Sequence, residues 1–385
     1  MREERSIMVS RIDRGPIANW WWTIDRSILA ACLLLMGLGV LFSFAASPSV
    51  AQRIGIADSF HFVKLHVKYT VPAFVAMITV SFLTPHNIRR CCLVLLAVAI
   101  ILLVLTLFAG IEIKGSRRWL SLAGVTIQPS EFMKPAFVVI LAWLFAGWYS
   151  SIPDYMVALV LYAVCAALLV FEPDIGQTLL ITATGGALFF LAGVSWLVIL
   201  PLIGFAVAGG VGAYMLHEHV RERVDGFLTG EGDTFQVDVG REAIIHGRWF
   251  GLGPGEGTVK RIIPDSHTDF VFSVAAEEYG IVLCIIIVVL FAFIVIRSLF
   301  IAIKEHDHFT RFATAGIAML FGFQSTINMA VNLHLMPPKG MTLPFISYGG
   351  SSLIAIAFTM GCLLALTRRR PEARMSASLK SMAVV

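Results

Sequence analysis

The chain has 385 residues, 58% of them hydrophobic and 14% charged, with a mean hydropathy of +0.83. Soluble domains carry about 25% charged residues, so this composition excludes a soluble globular protein and indicates an integral membrane protein. The net charge is only +4, and no basic stripe interleaved with aromatics is present, which argues against a nucleic-acid partner.

A membrane-spanning helix needs about 20 apolar residues. Ten segments meet this pattern: 28–46, 66–84, 91–109, 132–149, 155–171, 175–193, 196–216, 271–296, 312–331 and 349–366. The expected fold is therefore all-α, a polytopic bundle of about ten transmembrane helices over residues 28–366. The pair 155–171 and 175–193 is separated only by Glu172-Pro173-Asp174 and also reads as one broken element. Arg2, Arg5, Arg11, Arg14 and Arg26 flank the first segment, and Arg368, Arg369, Arg370, Arg374 and Lys380 follow the last. An even number of spans puts both ends on one side, and the positive-inside rule makes that side cytoplasmic. Residues 1–27 and 367–385 are then cytoplasmic segments, and Trp20, Trp21 and Trp22 read as an interfacial anchor. The first apolar run precedes Ala45-Ala46-Ser47, but about 19 residues exceed the 7–15 of a signal peptide, so it reads as an uncleaved span. Segments 47–65, 110–131, 217–270 and 332–348 fall outside, the largest being 217–270, between helices seven and eight. Cys32, Cys91, Cys92, Cys165, Cys284 and Cys362 all lie in or beside apolar segments, which indicates small buried hydrophobes rather than disulfides or zinc.

The outer segments carry the polar motifs. Glu131 and Lys134 in Gln128-Pro-Ser-Glu-Phe-Met-Lys share a helix face three residues apart. Ser130 as N-cap, Glu131 at the positive helix end and a snorkelling Lys134 form the structural alternative. Asp174 follows a proline break and suits either an N-cap or a substrate contact. Glycines 251, 253, 255 and 257 allow close backbone approach to a ligand or make a flexible turn, and match neither a dinucleotide fingerprint nor a P-loop. Ser266-His-Thr-Asp269 has capping-box spacing before an apolar run, so Asp269 reads either as a helix-start residue or as a reactive carboxylate. His267 is placed to orient a carboxylate or a ligand. Glu277 and Glu278 lie further into the same apolar run and need partners there. Gln324, Asn328 and Asn332 recur every four residues, a polar stripe that reads as interhelical hydrogen bonding. The prolines and glycines of 335–352 indicate a re-entrant loop at the outer surface, containing Lys339 and Ser347.

Trp119 with Gln128-Pro-Ser-Glu-Phe-Met-Lys, Pro264-Asp-Ser-His-Thr-Asp-Phe-Val-Phe with Glu277-Glu278-Tyr-Gly, and Pro344-Phe-Ile-Ser-Tyr-Gly-Gly-Ser-Ser together resemble the SEDS family (shape, elongation, division and sporulation proteins). Pro338-Lys-Gly-Met-Thr-Leu-Pro is similar to its cell-division branch. His246-Gly-Arg248 departs from the paired glycines common there. The resemblance implies an inverting peptidoglycan glycosyltransferase that polymerises lipid II at the outer face of the bacterial inner membrane during division. Its partners would be a class B penicillin-binding transpeptidase and other divisome membrane proteins. It implies Asp269 as the catalytic residue and Glu131, Lys134 and Lys339 as functional residues. Arg118, Trp119, Asp174, His267 and Ser347 complete the candidate substrate contacts. No metal-ligand spacing is present, so a divalent cation (Mg or Mn) would come with the pyrophosphate. A lipid II flippase and a non-catalytic divisome scaffold are the competing functions.

Overall fold

The computed structural model of the chain describes residues 15–113, 116–122, 124–147, 153–216, 218–229, 235–338 and 340–369. A helix occupies each of the ten apolar segments. They are α2 (Arg26–Arg53), α3 (His61–Ser81), α4 (Pro85–Ala109), α5 (Pro129–Gly147), α6 (Pro153–Phe171), α7 (Ile175–Leu191), α8 (Trp196–Leu216), α11 (Val271–Ile303), α12 (His308–Asn332) and α13 (Ser351–Leu366). Among the described residues, α2, α3, α4, α5, α11 and α12 are long and apolar enough to cross a membrane, and α7 and α13 are shorter apolar helices. The Glu172-Pro173-Asp174 break separates two helices, α6 and α7, joined face to face by Tyr162 and Thr182 at 2.9 Å. Local sequence sets several of the starts. Asp25 accepts from the backbone N–H groups of Ser27 and Ile28, and Thr84 caps α4 ahead of Pro85, which satisfies donors that a helix leaves open.

α5 and α12 are mostly buried, whereas α3, α4 and α11 expose much of their apolar surface. Their Val, Ile, Leu and Phe side chains face outward, as on a lipid-facing helix. Small residues allow close helix contact: Gly316 of α12 lies against Val138 of α5 and Leu188 of α7, and Gly361 of α13 against Met77 and Val80 of α3. Extra bulk at such points would separate the helices.

The bundle has two distinct ends. One gathers the first and last described segments: the Arg369 N–H donates to the Thr23 carbonyl at 2.9 Å, and Arg368 donates to Thr23 Oγ1. Arg297 near the end of α11 pairs with Asp25 at 2.8 Å. The tryptophan run, expected as an anchor, divides its work. In the short helix α1 (Pro16–Thr23), Trp20 is buried, stacks on Phe82 and donates to Ser81. Trp21 and Trp22 are exposed and lie against Arg26.

The opposite end holds the polar segments, and they are more ordered than loops. Between α4 and α5, β1 (Ile111–Ile113), β2 (Ser116–Leu122) and β3 (Val125–Ile127) form an antiparallel sheet in that order. The 217–270 segment contains α9 (Glu218–Thr229), α10 (Phe235–Gly247) and a 3₁₀ turn at Val259–Arg261. α10 packs on α11, where Gly240 meets Phe270 and Gly247 meets the Ala276 carbonyl.

Candidate functional site

Two groups of polar side chains lie at the end opposite the termini. The first is centred on α5. Lys134 Nζ lies 2.8 Å from Glu131 Oε2 and donates to Gln324 Oε1 at 2.9 Å. Glu131 Oε1 accepts from Gln177 Nε2 at 2.6 Å, and Oε2 from Ser352 Oγ at 3.3 Å. The Lys134 ammonium is thus enclosed rather than snorkelled, with Lys134 and Glu131 only 2% and 3% exposed. The Ser130 cap does not form either: its hydroxyl is buried with no hydrogen-bond partner among the described residues. A void of about 10 Å³, near the lower limit for one water, lies against Glu131, Lys134, Gln324 and Pro344.

The sheet extends this group. Residues along a strand alternate faces. Arg118 therefore turns onto the α6–α7 junction, 3.7 Å from Asp174 Oδ1, and donates to the carbonyls of Glu172 and Pro173. Its neighbour Trp119, paired with Ile111, is placed on the other face and does not join the group. Asp174 caps α7 through the Gln177 N–H and accepts from Gln128 Nε2 at 3.3 Å. Beneath it, Glu172 is 1% exposed and bonds Thr106 Oγ1, which also donates to the Leu103 carbonyl at 2.6 Å. One hydroxyl has one proton, so a protonated Glu172 donating to Thr106 satisfies both contacts. Burial raises the Glu172 carboxyl to about 8, consistent with that assignment.

The second group surrounds Asp269. The capping box does not form. Ser266 Oγ is buried with no partner among the described residues. α11 has Phe270 as its N-cap, so Asp269 precedes the helix instead of occupying its first turn. Asp269 sits in a turn whose N–H groups at 268, 269 and 270 all point to the Asp265 carbonyl. Its own carbonyl accepts from Asn328 Nδ2 at 3.0 Å and Asn332 Nδ2 at 2.9 Å. Its carboxylate faces Gly340, with Oδ2 3.8 Å from where a Cβ would stand. Lys339, the neighbouring loop residue, lies outside the described residues.

The loop from 333 to 350 joins the two groups. It is re-entrant, as expected, but it reaches into the bundle instead of packing at the outer surface. The Phe345 carbonyl occupies the space beside Gly39, at the middle of α2, and Phe345 is buried. Ser347 Oγ accepts the Leu343 N–H at 2.8 Å and so helps to close the loop's own turn. The Tyr348 N–H donates to the His267 carbonyl, and the two rings stack at 5.8 Å beside Phe62. His267 is thus part of an aromatic cluster two residues before Asp269.

The glycine-rich segment approaches its own helix rather than a ligand. Gly251 and Gly280, both at positive φ, bring residues 248–253 onto α11, where Ile281 and Val282 donate to the carbonyls of Arg248 and Trp249. Glu277 accepts the N–H groups of Thr258, Val259 and Lys260, each at 2.8 Å. Glu278 bonds Lys260 Nζ and the Gly255 N–H. These are the partners the two buried acids require.

The polar stripe of α12 makes the interhelical hydrogen bonds expected of it and also reaches Asp269. Gln324 holds Lys134 and the Thr342 carbonyl, Asn328 holds Asp269 and Met341, and Asn332 holds Asp269 and Ser273. Its repetition every four residues was the available signal. A larger cavity of about 350 Å³, lined by Arg89, Trp143, His306 and Asp307, lies at the other end, away from both groups.

The model of the family described as cell cycle protein (FtsW, RodA, SpoVE) matches residues 25–372. The chain is 48% identical over 369 residues to the probable peptidoglycan glycosyltransferase FtsW of Caulobacter vibrioides, with 94% of each chain covered. It is 34% identical to the protein of the same name from Trichlorobacter lovleyi, over 88% of this chain and 92% of that one. A chain from a peptidoglycan synthase complex, solved to show how polymerization and crosslinking are coordinated, matches with TM-score 0.75 and 27% identity, over 90% of this chain and 98% of that one. The rod shape determining protein RodA of Thermus thermophilus matches with TM-score 0.67 and 25% identity, over 90% and 97%. The chain therefore belongs to the FtsW, RodA and SpoVE family of cell cycle proteins and is a multi-pass membrane protein.

Proposed function

We propose that this chain is a peptidoglycan glycosyltransferase that polymerises lipid II during cell division, at the outer face of the bacterial cytoplasmic membrane. The observation that carries this reading is the placement of Asp269. Its backbone is pinned ahead of α11 by two asparagines, and its carboxylate faces the re-entrant loop. The Glu131–Lys134 pair meets the same loop through Gln324 and Thr342. Similarity to the named glycosyltransferases supports the reaction class.

In this reading the growing glycan, linked through C1 to a lipid pyrophosphate, is the donor, and the 4-hydroxyl of lipid II is the acceptor. The hydroxyl oxygen attacks C1 from the face opposite the pyrophosphate. The C1–O bond breaks, the lipid pyrophosphate leaves with the electron pair, and the anomeric centre inverts. Asp269 takes the hydroxyl proton as general base. A pyrophosphate leaves without protonation by a carboxylic acid, so one carboxylate suffices. Positive charge must meet the leaving group. Lys134 and Arg118 are already paired with Glu131 and Asp174, so they serve mainly to order the pocket. Lys339, next in sequence to the glycine that faces Asp269, is the third candidate cation for the pyrophosphate. Among the described residues no group of three or more His, Cys, Asp or Glu side chains is placed to cage a metal ion. A divalent cation would be carried by the pyrophosphate.

A class B transpeptidase is the partner in this reading, supported by likeness to a chain of a peptidoglycan synthase complex. Cytoplasmic termini are supported by the contact of Thr23 with Arg368 and Arg369, which brings the first and last described helices to one end of the bundle. The test is polymerisation of labelled lipid II by the purified chain with its transpeptidase. Asp269→Asn abolishes glycan product if the reading holds. Polymer made at the unaltered rate by that variant would overturn the role of Asp269, and lipid translocation without polymer would favour a flippase.

A further inference from the structure

The bonding around Asn332 assigns this side chain a role that its place in a polar stripe does not suggest. In an unbroken helix the Ser273 N–H would donate to the carbonyl four residues earlier, that of Asp269. Here it donates to Asn332 Oδ1 at 3.1 Å, and Ser273 Oγ donates to the same oxygen at 2.8 Å. The other end of the carboxamide completes the exchange, since Asn332 Nδ2 donates to the Asp269 carbonyl at 2.9 Å. One side-chain amide thus stands where a backbone hydrogen bond would be. Its orientation is fixed by its partners: two donors face the oxygen, and the carbonyls of Asp269 and Asn328 face the nitrogen. Asn332 is fully buried, so water does not compete.

We infer that Asn332 is a positioning residue for Asp269. By inserting itself into the first turn of α11, it ends the helix at Phe270 and leaves Asp269 in a non-helical turn with its carboxylate toward the loop. Without the carboxamide, the Ser273 N–H regains the Asp269 carbonyl, α11 extends backwards, and the carboxylate swings away with the new helical residue. Asn328 is not equivalent. It supplies a second donor to the same carbonyl and holds the Met341 carbonyl at 2.6 Å, but does not touch Ser273. The inference rests on the reading of Asp269 as the reacting carboxylate.

The experiment uses the full-length chain in lipid nanodiscs with its transpeptidase, and fluorescent lipid II as substrate. Asn332→Ala allows the backbone bond to close, and Asn332→Asp keeps the shape and the acceptor but loses the donor. A displacement of about 1 Å costs on the order of a hundredfold in rate. The expected result for Asn332→Ala is therefore a kcat about a hundredfold lower with KM within about threefold, because orientation and not binding is lost. One backbone bond replaces two of the four bonds lost, so the unfolding midpoint should fall modestly, and rates are compared per folded protein. If Asn332→Asp fails to fold, Asn332→Ala still decides. An unchanged kcat for Asn332→Ala overturns the inference, as does a loss matched by an equal loss of folded protein. Asp269→Asn is measured alongside. Full activity in that variant overturns the reading of the site itself, whereas an inactive Asp269→Asn with a fully active Asn332→Ala overturns only the positioning role.

Discussion

Gln324 of α12 accepts a hydrogen bond from the Lys134 ammonium of α5 at 2.9 Å, and so completes the enclosure of a buried cation whose counter-charge, Glu131, lies 2.8 Å away. Removing one partner of a buried pair leaves an uncompensated charge, at about 3–5 kcal/mol. Glu131→Gln should therefore destabilise the bundle by about 3 kcal/mol, and Glu131→Gln with Lys134→Met should recover most of that loss. Chemical unfolding in mixed micelles measures both. Equal stability of Glu131→Gln and the parent chain would contradict the enclosure.

The contrast with Asp269 shows which parts of this site a sequence discloses. Apolar runs alone located a helix in each of ten segments, six of which are long and apolar enough to cross a membrane among the described residues. The Glu131–Lys134 pairing follows from a spacing of three on one helix face. Asp269 has capping-box spacing from Ser266, yet no box forms. The decisive bond comes from Asn332, more than sixty residues away, and local spacing carries no information about it. Ser347 shows the opposite case: its hydroxyl accepts the N–H of Leu343 within one short turn, a local bond that its spacing allows but does not announce. The glycine at 251 does mark close approach, but the surface approached is the chain's own helix.

Glu172 predicts a pH dependence of stability. Its carboxyl is raised by burial from 4.5 to about 8 in the folded chain. The folded state therefore keeps a proton that the unfolded state has lost at any pH between those values. Stability from this group is fully present below pH 4.5, falls through the interval, and is gone above pH 8. The slope is at most about 1.4 kcal/mol per pH unit. Glu172→Gln, a neutral isostere, should flatten the decline of the unfolding midpoint between pH 5 and 8. A decline of the same steepness in the variant would show that other groups cause it.

Gly39 predicts a coupling between α2 and the loop. A Cβ there would overlap the Phe345 carbonyl oxygen and crowd Ile346 Cα. Both obstacles are backbone and cannot rotate away, so Gly39→Ala should cost about 1–3 kcal/mol. It should also push the loop off α2 and, with it, the residues facing Asp269. Glycan polymerisation should fall by more than the folded fraction does. Gly37, two residues away with open space around it, is the control: Gly37→Ala should leave both quantities near their parent values.

His246-Gly-Arg248 departs from the paired glycines that the family resemblance leads one to expect, and the backbone at Arg248 is strained. Gly247 keeps the glycine that the contact requires, because any side chain there would strike the Ala276 carbonyl. Arg248 takes a φ of +52°, a conformation natural to glycine and strained for arginine. Its side chain is exposed, while its carbonyl accepts the Ile281 N–H at 2.9 Å, a bond that needs no side chain. Left-handed backbone costs a non-glycine residue on the order of 1–2 kcal/mol, and glycine's extra freedom in the unfolded chain offsets about 0.5–1 kcal/mol of the relief. Arg248→Gly should thus stabilise the fold by about 0.5–1 kcal/mol. Arg248→Ala removes the guanidinium but keeps the strain, so its stability should match that of the parent chain. Equal stability of the glycine and alanine variants would mean that the neighbouring glycines at 247 and 251 already absorb the strain.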